Sequence, residues 1–269
     1  MSFAAKTVVI TGAAGIYGRQ FSRAFAREGA RLVLTDRKPA GLNAVARELA
    51  LPAERVRLIP ADLTDDASIA GFVAATGCPD IVICNAGIYP FGGLLDTSTA
   101  MWDEIMAVNL KAPFLLTQGF ARKMIDNGVK GSFVCIGSGA AHVLRTNGLA
   151  YCVSKRGLDW LVKGMALELA RWGIRVNAVE PGLAVGSANA SFPPGYVESM
   201  SSRIPLGRMG GENEAADAVL FLCSDKASYI TGAAIPVDGG SAIPRRALLP
   251  VGQKGVVSQQ KESTPKEPT

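Results

Sequence analysis

The sequence predicts an α/β protein with a doubly wound, parallel, seven-stranded sheet, helices on both faces of the sheet, and a single domain. Short runs of β-branched and aliphatic residues alternate with stretches whose apolar residues recur at helical spacing. This alternation is typical of β-α-β units, which build a parallel sheet with right-handed crossovers. In addition, the first apolar run ends in a glycine-rich turn that leads into a helical pattern, an arrangement typical of ligand-binding turns.

The composition agrees with a globular protein of this class. The 269 residues are 48% hydrophobic and 19% charged, and the net charge is +5, with no basic run interleaved with aromatic residues. We therefore expect no nucleic-acid partner. No apolar run is long enough to span a bilayer, and the five cysteines lack paired metal-ligand spacing, so we expect a cytoplasmic protein with reduced thiols, no metal and no membrane partner.

The first unit is a strand over residues 6–11, the turn GAAGIYG over residues 12–18, and a helix. Glycines allow a tight turn and a close approach of the backbone to a ligand. The amino end of the helix offers free N–H groups to a pyrophosphate. The turn therefore predicts a dinucleotide site.

The next units place polar residues at the carboxyl ends of three strands. We predict strands over 31–35, 55–60 and 80–84, with helices over 40–49 and 65–74. Asp36 follows the second strand, where a carboxylate can accept hydrogen bonds from both hydroxyls of an adenosine ribose. It could instead cap the following helix. Asp62 and Leu63 follow the third strand, and Asn85 to Gly87 follow the fourth, again at the edge where such sheets bind ligands.

The second half of the chain carries the candidate proton-transfer group. A helix over 99–124 contains Asn109, and a strand over 131–137 ends at Ser138. The next helix contains Tyr151 and Lys155, which are four residues apart and so lie on one face. A free phenol titrates near pH 10, at about its reference value. A nearby cation favours the phenolate, so we predict a lowered pKa and a role in proton transfer for Tyr151.

The remaining elements are a strand over 174–179, a long stretch over about 183–211, a helix over 214–223 and a strand over 233–237. The long stretch is rich in Gly, Ser and Pro and shows helical spacing only near 196–200, so we interpret it as a lid. Residues 1–244 form the predicted domain. Residues 245–269 are polar and read as a disordered tail.

Taken together, these motifs resemble the short-chain dehydrogenase/reductase family in its compact single-domain form, over residues 4–244. The matching residues are Thr11, Gly12 and Gly18, Asp62 and Leu63, Asn85 to Gly87, Asn109, Ser138, Tyr151 and Lys155, Pro181 and Gly182, and Asp238 to Gly240. The resemblance implies a Rossmann-like fold and a homotetramer built on the helices that carry Asn109 and Tyr151. Small residues at Ala150, Gly157, Gly164 and Ala166 would let those helices approach closely.

The resemblance also implies roles for individual residues. Tyr151 would be the acid/base, Lys155 would lower its pKa and bind the nicotinamide ribose, Ser138 would polarise the substrate oxygen, and Asn109 would hold a water of a proton relay. The hydride would pass directly between substrate and nicotinamide. The implied cofactor-binding residues are Gly12, Gly15, Ile16, Tyr17, Asp36, Asp62, Leu63, Asn85, Gly87, Tyr151, Lys155, Pro181, Gly182 and Ala184.

Two positions depart from the family pattern. Ile16 stands where the family has the middle glycine of the first turn. A β-branched residue disfavours positive φ, so we expect an ordinary backbone conformation there. Gly186 stands where the family often has a threonine that bonds the nicotinamide carboxamide, and the neighbouring Ser187 could substitute for it.

The leading hypothesis is an oxidoreductase that uses NAD(H) and interconverts a secondary alcohol and a ketone. The alternatives are an NADPH-dependent 3-oxoacyl-thioester reductase, as for acyl carrier protein substrates, and a non-catalytic dinucleotide sensor. NAD is predicted because the glycine turn has no basic residue and Asp36 would repel a 2′-phosphate. The small-molecule substrate is expected to meet Tyr89, Phe91, Leu94, His142, Val143, Arg145 and the lid. A structural His142 and a solvated Arg145 are the competing interpretations.

Overall fold

The computed structural model of the protein describes residues 2–184, 186 and 195–243. Within that part of the chain, seven strands form one sheet in the order β3-β2-β1-β4-β5-β6-β7, and all six pairings are parallel. The strands are β1 (Thr7–Thr11), β2 (Arg31–Thr35), β3 (Val56–Leu58), β4 (Ile81–Cys84), β5 (Ser132–Ile136), β6 (Arg175–Pro181) and β7 (Ala234–Val237). The predicted doubly wound parallel sheet is confirmed.

Helices cover both faces of the sheet. They are α1 (Ile16–Arg27), α2 (Pro39–Leu49), α3 (Asp66–Thr76), α4 (Thr99–Met106), α5 (Ala112–Asp126), α6 (Leu149–Leu169), α7 (Tyr196–Ser201) and α8 (Glu214–Cys223). One core lies under α1, α2 and α8, and the other under α3, α5 and α6. Val8 and Ile10 of β1 face the first core and Val9 faces the second, as the two-residue period of a strand requires.

The helix boundaries follow local chemistry. Asp65 caps α3, because its carboxylate accepts hydrogen bonds from the N–H groups of Ala67 and Ser68 at 3.2 and 3.0 Å. Ser98 caps α4 through Met101 N–H at 3.2 Å. Pro39 begins α2, where its missing N–H costs no hydrogen bond.

The predicted helix over 99–124 is wrong in one detail. It is interrupted by a π-helical segment, Ala107–Lys111, between α4 and α5. A π segment adds a residue to one turn and so rotates the side chains that follow it. Here the rotated segment contains the buried Asn109.

The small residues predicted to bring subunits together serve the subunit's own packing at three of four positions. Ala150 and Ala166 are buried in it, and a Cβ on Gly157 would lie 3.1 Å from Leu110. Gly164 alone of the four has open space beside it. The predicted tail over 245–269, Ser187 and much of the predicted lid lie outside the described residues.

Candidate active site

The strand order reverses between β1 and β4, and in open parallel sheets the crevice at this switch point binds ligands. The glycine turn lies there, and its shape depends on close backbone packing. Gly12 has φ +61°, and a Cβ on it would stand 2.8 Å from the Cα of Ala86. Asn85 holds the two segments together, because its Nδ2 donates to the carbonyls of Thr11 and Gly12 at 2.8 and 3.0 Å.

Ile16 has an ordinary backbone conformation, as expected for a β-branched residue. It is the first residue of α1, and the described non-glycine residues with positive φ are Ala5, Ala50 and Asn147. Gly186, the second position that departs from the family pattern, lies next to the Ile16 side chain. A Cβ placed on Gly186 would be 3.9 Å from Cγ2 of Ile16. Gly186 has φ +94°, which threonine rarely adopts. The two unusual residues are therefore neighbours.

Asp36 lies beside the glycine turn. Its Oδ2 accepts from Ala14 N–H at 3.1 Å and its Oδ1 from Lys38 N–H at 3.3 Å, so the carboxylate is fixed at the end of β2. Arg37 turns away toward Glu104 of α4, with 3.5 Å between the charged atoms. Asp36 is thus the acidic group nearest the turn.

Asp62 is fixed by its own loop. The N–H and hydroxyl of Thr64 donate to Oδ1 at 2.9 and 2.7 Å, and these bonds lower the pKa of Asp62. Leu63, next to it, is buried. The Asp62 carboxylate stays ionised at neutral pH at the rim of the crevice.

Ser138 and Tyr151 meet at the other end of the crevice. Burial raises the pKa of Tyr151, while a hydrogen bond from Ser138 and the positive charge of Arg145 lower it. The groups that lower it in the structure are Ser138 and Arg145, and burial outweighs them. The role of Lys155 in lowering this pKa stays a prediction.

Lys155 is directed into the protein. Its Nζ donates to the carbonyl of Ile136 at 2.8 Å and lies 5.8 Å from the centre of the Tyr151 ring. Burial lowers the pKa of Lys155 to about 8. The Lys155 ammonium therefore lies on the same face of α6 as Tyr151, one helical turn away, but it does not contact the Tyr151 hydroxyl.

Asn109 lies behind Lys155. Its Oδ1 accepts from Ile88 N–H at 2.9 Å, and its Nδ2 donates to the Ile88 carbonyl and to Ser154 Oγ at 2.8 and 3.1 Å. A Cβ on Gly87 would lie 3.5 Å from both Asn109 Oδ1 and Lys155 Nζ. The π segment therefore aims Asn109 at the loop that follows β4.

The remaining predicted residues close the crevice above α1. The Tyr17 hydroxyl donates to the Gly182 carbonyl at 2.7 Å, and burial raises the Tyr17 pKa. Pro181 ends β6, and Ala184 is buried and bridges to Gly210. The glycine turn and the start of the predicted lid are thus directly linked.

A single cavity of about 980 Å³ joins these groups. The predicted residues that line it are Gly12, Gly15, Ile16, Tyr17, Asp36, Asp62, Leu63, Asn85, Gly87, Ser138, Tyr151, Lys155, Pro181 and Gly182. The cavity extends from Asp36 at its acidic end to Tyr151. Its floor is the glycine turn, where a Cβ on Gly12 would collide with the neighbouring backbone. These residues fit a nicotinamide dinucleotide.

Two loops and α7 surround the cavity near Tyr151. The rings of Tyr89 and Tyr151 are 6.2 Å apart between centroids, and those of Phe91 and Tyr196 are 5.5 Å apart. Arg145 donates to the Tyr196 hydroxyl at 3.1 Å. Of the predicted substrate-facing residues, Leu94 instead points into solvent, with 75% of its surface exposed.

His142 has a partner that the sequence did not predict. Its Nε2 lies 3.0 and 2.9 Å from the two carboxylate oxygens of Glu180, a buried residue of β6. Burial raises the pKa of Glu180, and His142 opposes that rise. The available signal was the acidic Glu180 directly after the apolar residues Ala178 and Val179 of the predicted strand, since a buried carboxylate needs a partner.

Comparison with known proteins agrees with this geometry. The chain matches the family model described as "Enoyl-(Acyl carrier protein) reductase" over residues 12–242. It is also 33% identical to a short-chain type dehydrogenase/reductase from Mycobacterium marinum of known crystal structure. That match has a TM-score of 0.83 and covers 90% of this chain and 97% of the other. The chain belongs to the short-chain dehydrogenase/reductase family.

Two relatives within this family are named as dehydrogenases of a sugar and of a polyol. The chain is 36% identical over 245 residues to an L-rhamnose 1-dehydrogenase (NAD(P)(+)) of Azotobacter vinelandii, covering 87% of this chain and 96% of the relative. It is also 36% identical over 241 residues to an L-tagatose-forming galactitol 2-dehydrogenase of Cereibacter sphaeroides, covering 87% and 94%. These relatives support oxidoreductase activity on a secondary alcohol.

Within the described residues, no helix has the length and apolar character needed to cross a bilayer. Over the same residues, no three His, Cys, Asp or Glu side chains are grouped so that they could hold a metal ion.

Proposed function

We propose that this short-chain dehydrogenase/reductase uses NAD(H) to interconvert a secondary alcohol and a ketone. One observation carries the proposal: Ser138, Tyr151 and Lys155 meet at one end of a cavity whose other end lies at the glycine turn and Asp36. The cavity length separates a proton-transfer group from an acidic ribose site. That separation is what a dinucleotide with one reactive end requires.

The cofactor residues are the predicted ones. The turn of Gly12, Gly15 and Ile16 would hold the pyrophosphate, and Asp36 the adenosine ribose. Asp62 and Leu63 would flank the adenine, while Asn85, Gly87, Tyr17, Pro181, Gly182 and Ala184 would enclose the nicotinamide half. When bound, the nicotinamide would accept or supply the hydride.

The chain's own residues would handle the proton. In oxidation, the Tyr151 oxygen accepts the proton of the substrate hydroxyl, and in reduction it returns that proton to the carbonyl oxygen. Ser138 donates a hydrogen bond to the same oxygen and orients it. Because burial raises the pKa of Tyr151, its phenol holds the proton at neutral pH. Oxidation should therefore accelerate as the pH rises, and reduction should slow.

Lys155 and Asn109 would support this group. The ammonium of Lys155 lies one helical turn from Tyr151, within reach of ribose hydroxyls, and Asn109 fixes the Ile88 carbonyl beside it. We propose that this carbonyl and Asn109 hold the water that connects Lys155 to solvent.

The 3-oxoacyl-thioester reductase alternative would use NADPH, whose 2′-phosphate would face the Asp36 carboxylate. The fixed position of Asp36, held by two backbone N–H groups, argues against it. A non-catalytic dinucleotide sensor would not need Ser138, Tyr151 and Lys155 to lie together at one end of the cavity, so their arrangement argues against this alternative.

The test is the variant Tyr151→Phe, which removes the proton-transfer hydroxyl and keeps the ring. NADH absorbance is followed with a panel of sugars, polyols and cyclic secondary alcohols, and NADH binding is measured separately. We expect turnover to fall by about 10³-fold or more with NADH binding retained. Lys155→Met should lower both turnover and NADH binding. Turnover of Tyr151→Phe near that of the wild type would contradict the assignment.

Assembly and location stay predictions. A homotetramer is inferred from the family, and a cytoplasmic location from the sequence. The small-molecule alcohol is the only partner that the proposal needs.

A further inference from the structure

Arg145 carries a positive charge at the Tyr151 end of the cavity but does not itself accept or donate the transferred proton. Arg145 lines the cavity near Tyr151 and donates one hydrogen bond to the neutral phenol of Tyr196. Within the described residues it forms no ion pair. A guanidinium carries five donors in a planar fork, so most of its hydrogen-bonding capacity is left for a ligand.

The acidic groups of the cavity do not neutralise this charge. Asp36, Asp62 and Glu104 belong to the opposite end, where Glu104 pairs with Arg37. The fourth, Asp238, accepts hydrogen bonds from the backbone of Gly240 and Ala242 at 2.8 and 2.7 Å. The cavity is therefore acidic at its adenosine end and cationic at Arg145.

The loop that carries Arg145 is held in place. Gly92 N–H donates to the Asn147 carbonyl at 2.9 Å, and Gly92 forms a bridge with Gly148. Gly148 N–H donates to the Arg145 carbonyl at 3.2 Å. These contacts attach the loop to the segment that contains Tyr89 and Phe91. The backbone of Arg145 is therefore held in one position beside the cavity.

We propose that Arg145 binds a carboxylate of the substrate, so that the protein oxidises a secondary hydroxyl of a hydroxy acid to the corresponding keto acid. The inference rests on the proposed function and names its substrate class. The hydroxyl oxygen would lose its proton to Tyr151, the carbon that bears this oxygen would lose a hydride to the nicotinamide, and the carboxylate would not react. A carboxylate matches the planar fork of one guanidinium.

The field of Arg145 at Tyr151 supports this placement. It is one of the two influences that lower the pKa of the phenol against the effect of burial. The influence of Arg145 on the phenol shows that its charge lies close to the reacting end of the cavity, where a substrate carboxylate would be held.

The test is a binding measurement that does not depend on turnover. Wild-type protein with saturating NADH is titrated calorimetrically with D-gluconate, 3-hydroxybutyrate and cyclohexanecarboxylate. Each has a neutral partner of the same shape, which is D-glucitol, 3-hydroxybutyramide and cyclohexanecarboxamide. We expect at least one carboxylate to bind about a hundredfold more tightly than its partner, equivalent to about 2.7 kcal/mol.

The preference should disappear in Arg145→Gln and partly return in Arg145→Lys, which keeps the charge without the fork. Arg203→Gln tests the other arginine near α7 that lines the cavity, and Arg47→Gln, on the exposed face of α2, controls for net charge. Both should keep the preference. Equal binding of every pair, or loss of the preference in Arg203→Gln alone, would overturn the inference. Tighter binding of inorganic phosphate than of any carboxylate would also overturn it.

The two proposals fail in different ways. Oxidation of neutral alcohols without any carboxylate preference removes the role of Arg145 and leaves the proposed activity intact. Carboxylate binding through Arg145 with no reduction of either NAD or NADP by any alcohol removes the proposed activity instead.

Discussion

Asp36 is the residue on which the choice between NAD(H) and NADP(H) rests. Its carboxylate is fixed by Ala14 and Lys38 at the edge of the glycine turn, and no basic residue stands in that turn. Two like charges in contact repel by about 4 kcal/mol at an effective dielectric near 20. Arg37, which pairs with Glu104 at 3.5 Å, would offset part of this.

We therefore expect kcat/KM to favour NAD(H) by about a hundredfold, equivalent to about 2.7 kcal/mol. Asp36→Ala should narrow the gap, mainly by weakening NAD(H), which loses its ribose hydrogen bonds. Asp103→Ala, on the exposed surface of α4, is the control for charge alone. Equal or better efficiency of the wild type with NADPH would revive the acyl-thioester reductase alternative.

Ile16 and Gly186 form a residue pair whose members should be coupled. The Ile16 side chain occupies the space beside Gly186, where a larger residue would meet it. Gly186→Thr alone should weaken NADH binding, because threonine is strained at positive φ and crowds Ile16. In Ile16→Gly the crowding is relieved.

A double-mutant cycle on NADH affinity should therefore show a coupling energy of about 0.5–1 kcal/mol, with the double variant binding better than the sum of the single losses. Fluorescence titration with NADH measures each corner of the cycle. Additive losses would show that the two positions act independently.

At the scale of elements, the sequence predicted the alternation of strands and helices because its apolar runs and glycine turns are local signals. The strand β2 and the helix α8 begin and end as predicted. The π segment at Asn109 was missed, because it depends on a contact with Ile88, 21 residues away in the chain. The direction of the Lys155 ammonium was missed for the same reason, since its acceptor is the Ile136 carbonyl on another element.

The pair of His142 and Glu180 joins the loop after Ser138 to β6. Removing the imidazole in His142→Ala would leave the Glu180 carboxylate buried without its partner, which costs about 1–3 kcal/mol at neutral pH. Burial already raises the Glu180 pKa above its unfolded value, so its protonated form is the one that folding favours. Stability from that preference is present at low pH and is lost as the pH rises through the folded pKa.

The destabilisation by His142→Ala should therefore be larger at pH 7 than at lower pH, because protonation of Glu180 removes the unpaired buried charge. Thermal unfolding of the variant and the wild type across this range measures it. In the control Glu180→Gln the buried charge is absent, so replacing His142 as well should give a loss that does not change with pH. A loss independent of pH in His142→Ala itself would mean that the pair contributes packing only.

At the scale of the whole molecule, the exposed side of α6 carries several large apolar residues among its charged ones. Val153, Trp160, Gly164 and Leu167 follow one another at helical spacing, and Trp160 and Leu167 are 71% and 82% exposed. Phe114 of α5 lies beside Leu167 in a groove of about 550 Å³. A group of exposed apolar residues of this kind marks an interaction surface, and in this family we expect its partner to be the same face of a second copy.

Light scattering at micromolar concentration should therefore give a mass that is a multiple of 28.1 kDa, and four subunits if the end of β7 forms the second interface. Leu167→Glu places a charge in the α6 face, and burying an unpaired charge is far more costly than leaving it in water. We expect this variant to give a smaller assembly. Leu95→Glu changes a residue that is 95% exposed on the loop after β4, and it should keep the wild-type mass. A monomeric wild type, or an unchanged mass for Leu167→Glu, would mean that α6 does not carry the interface.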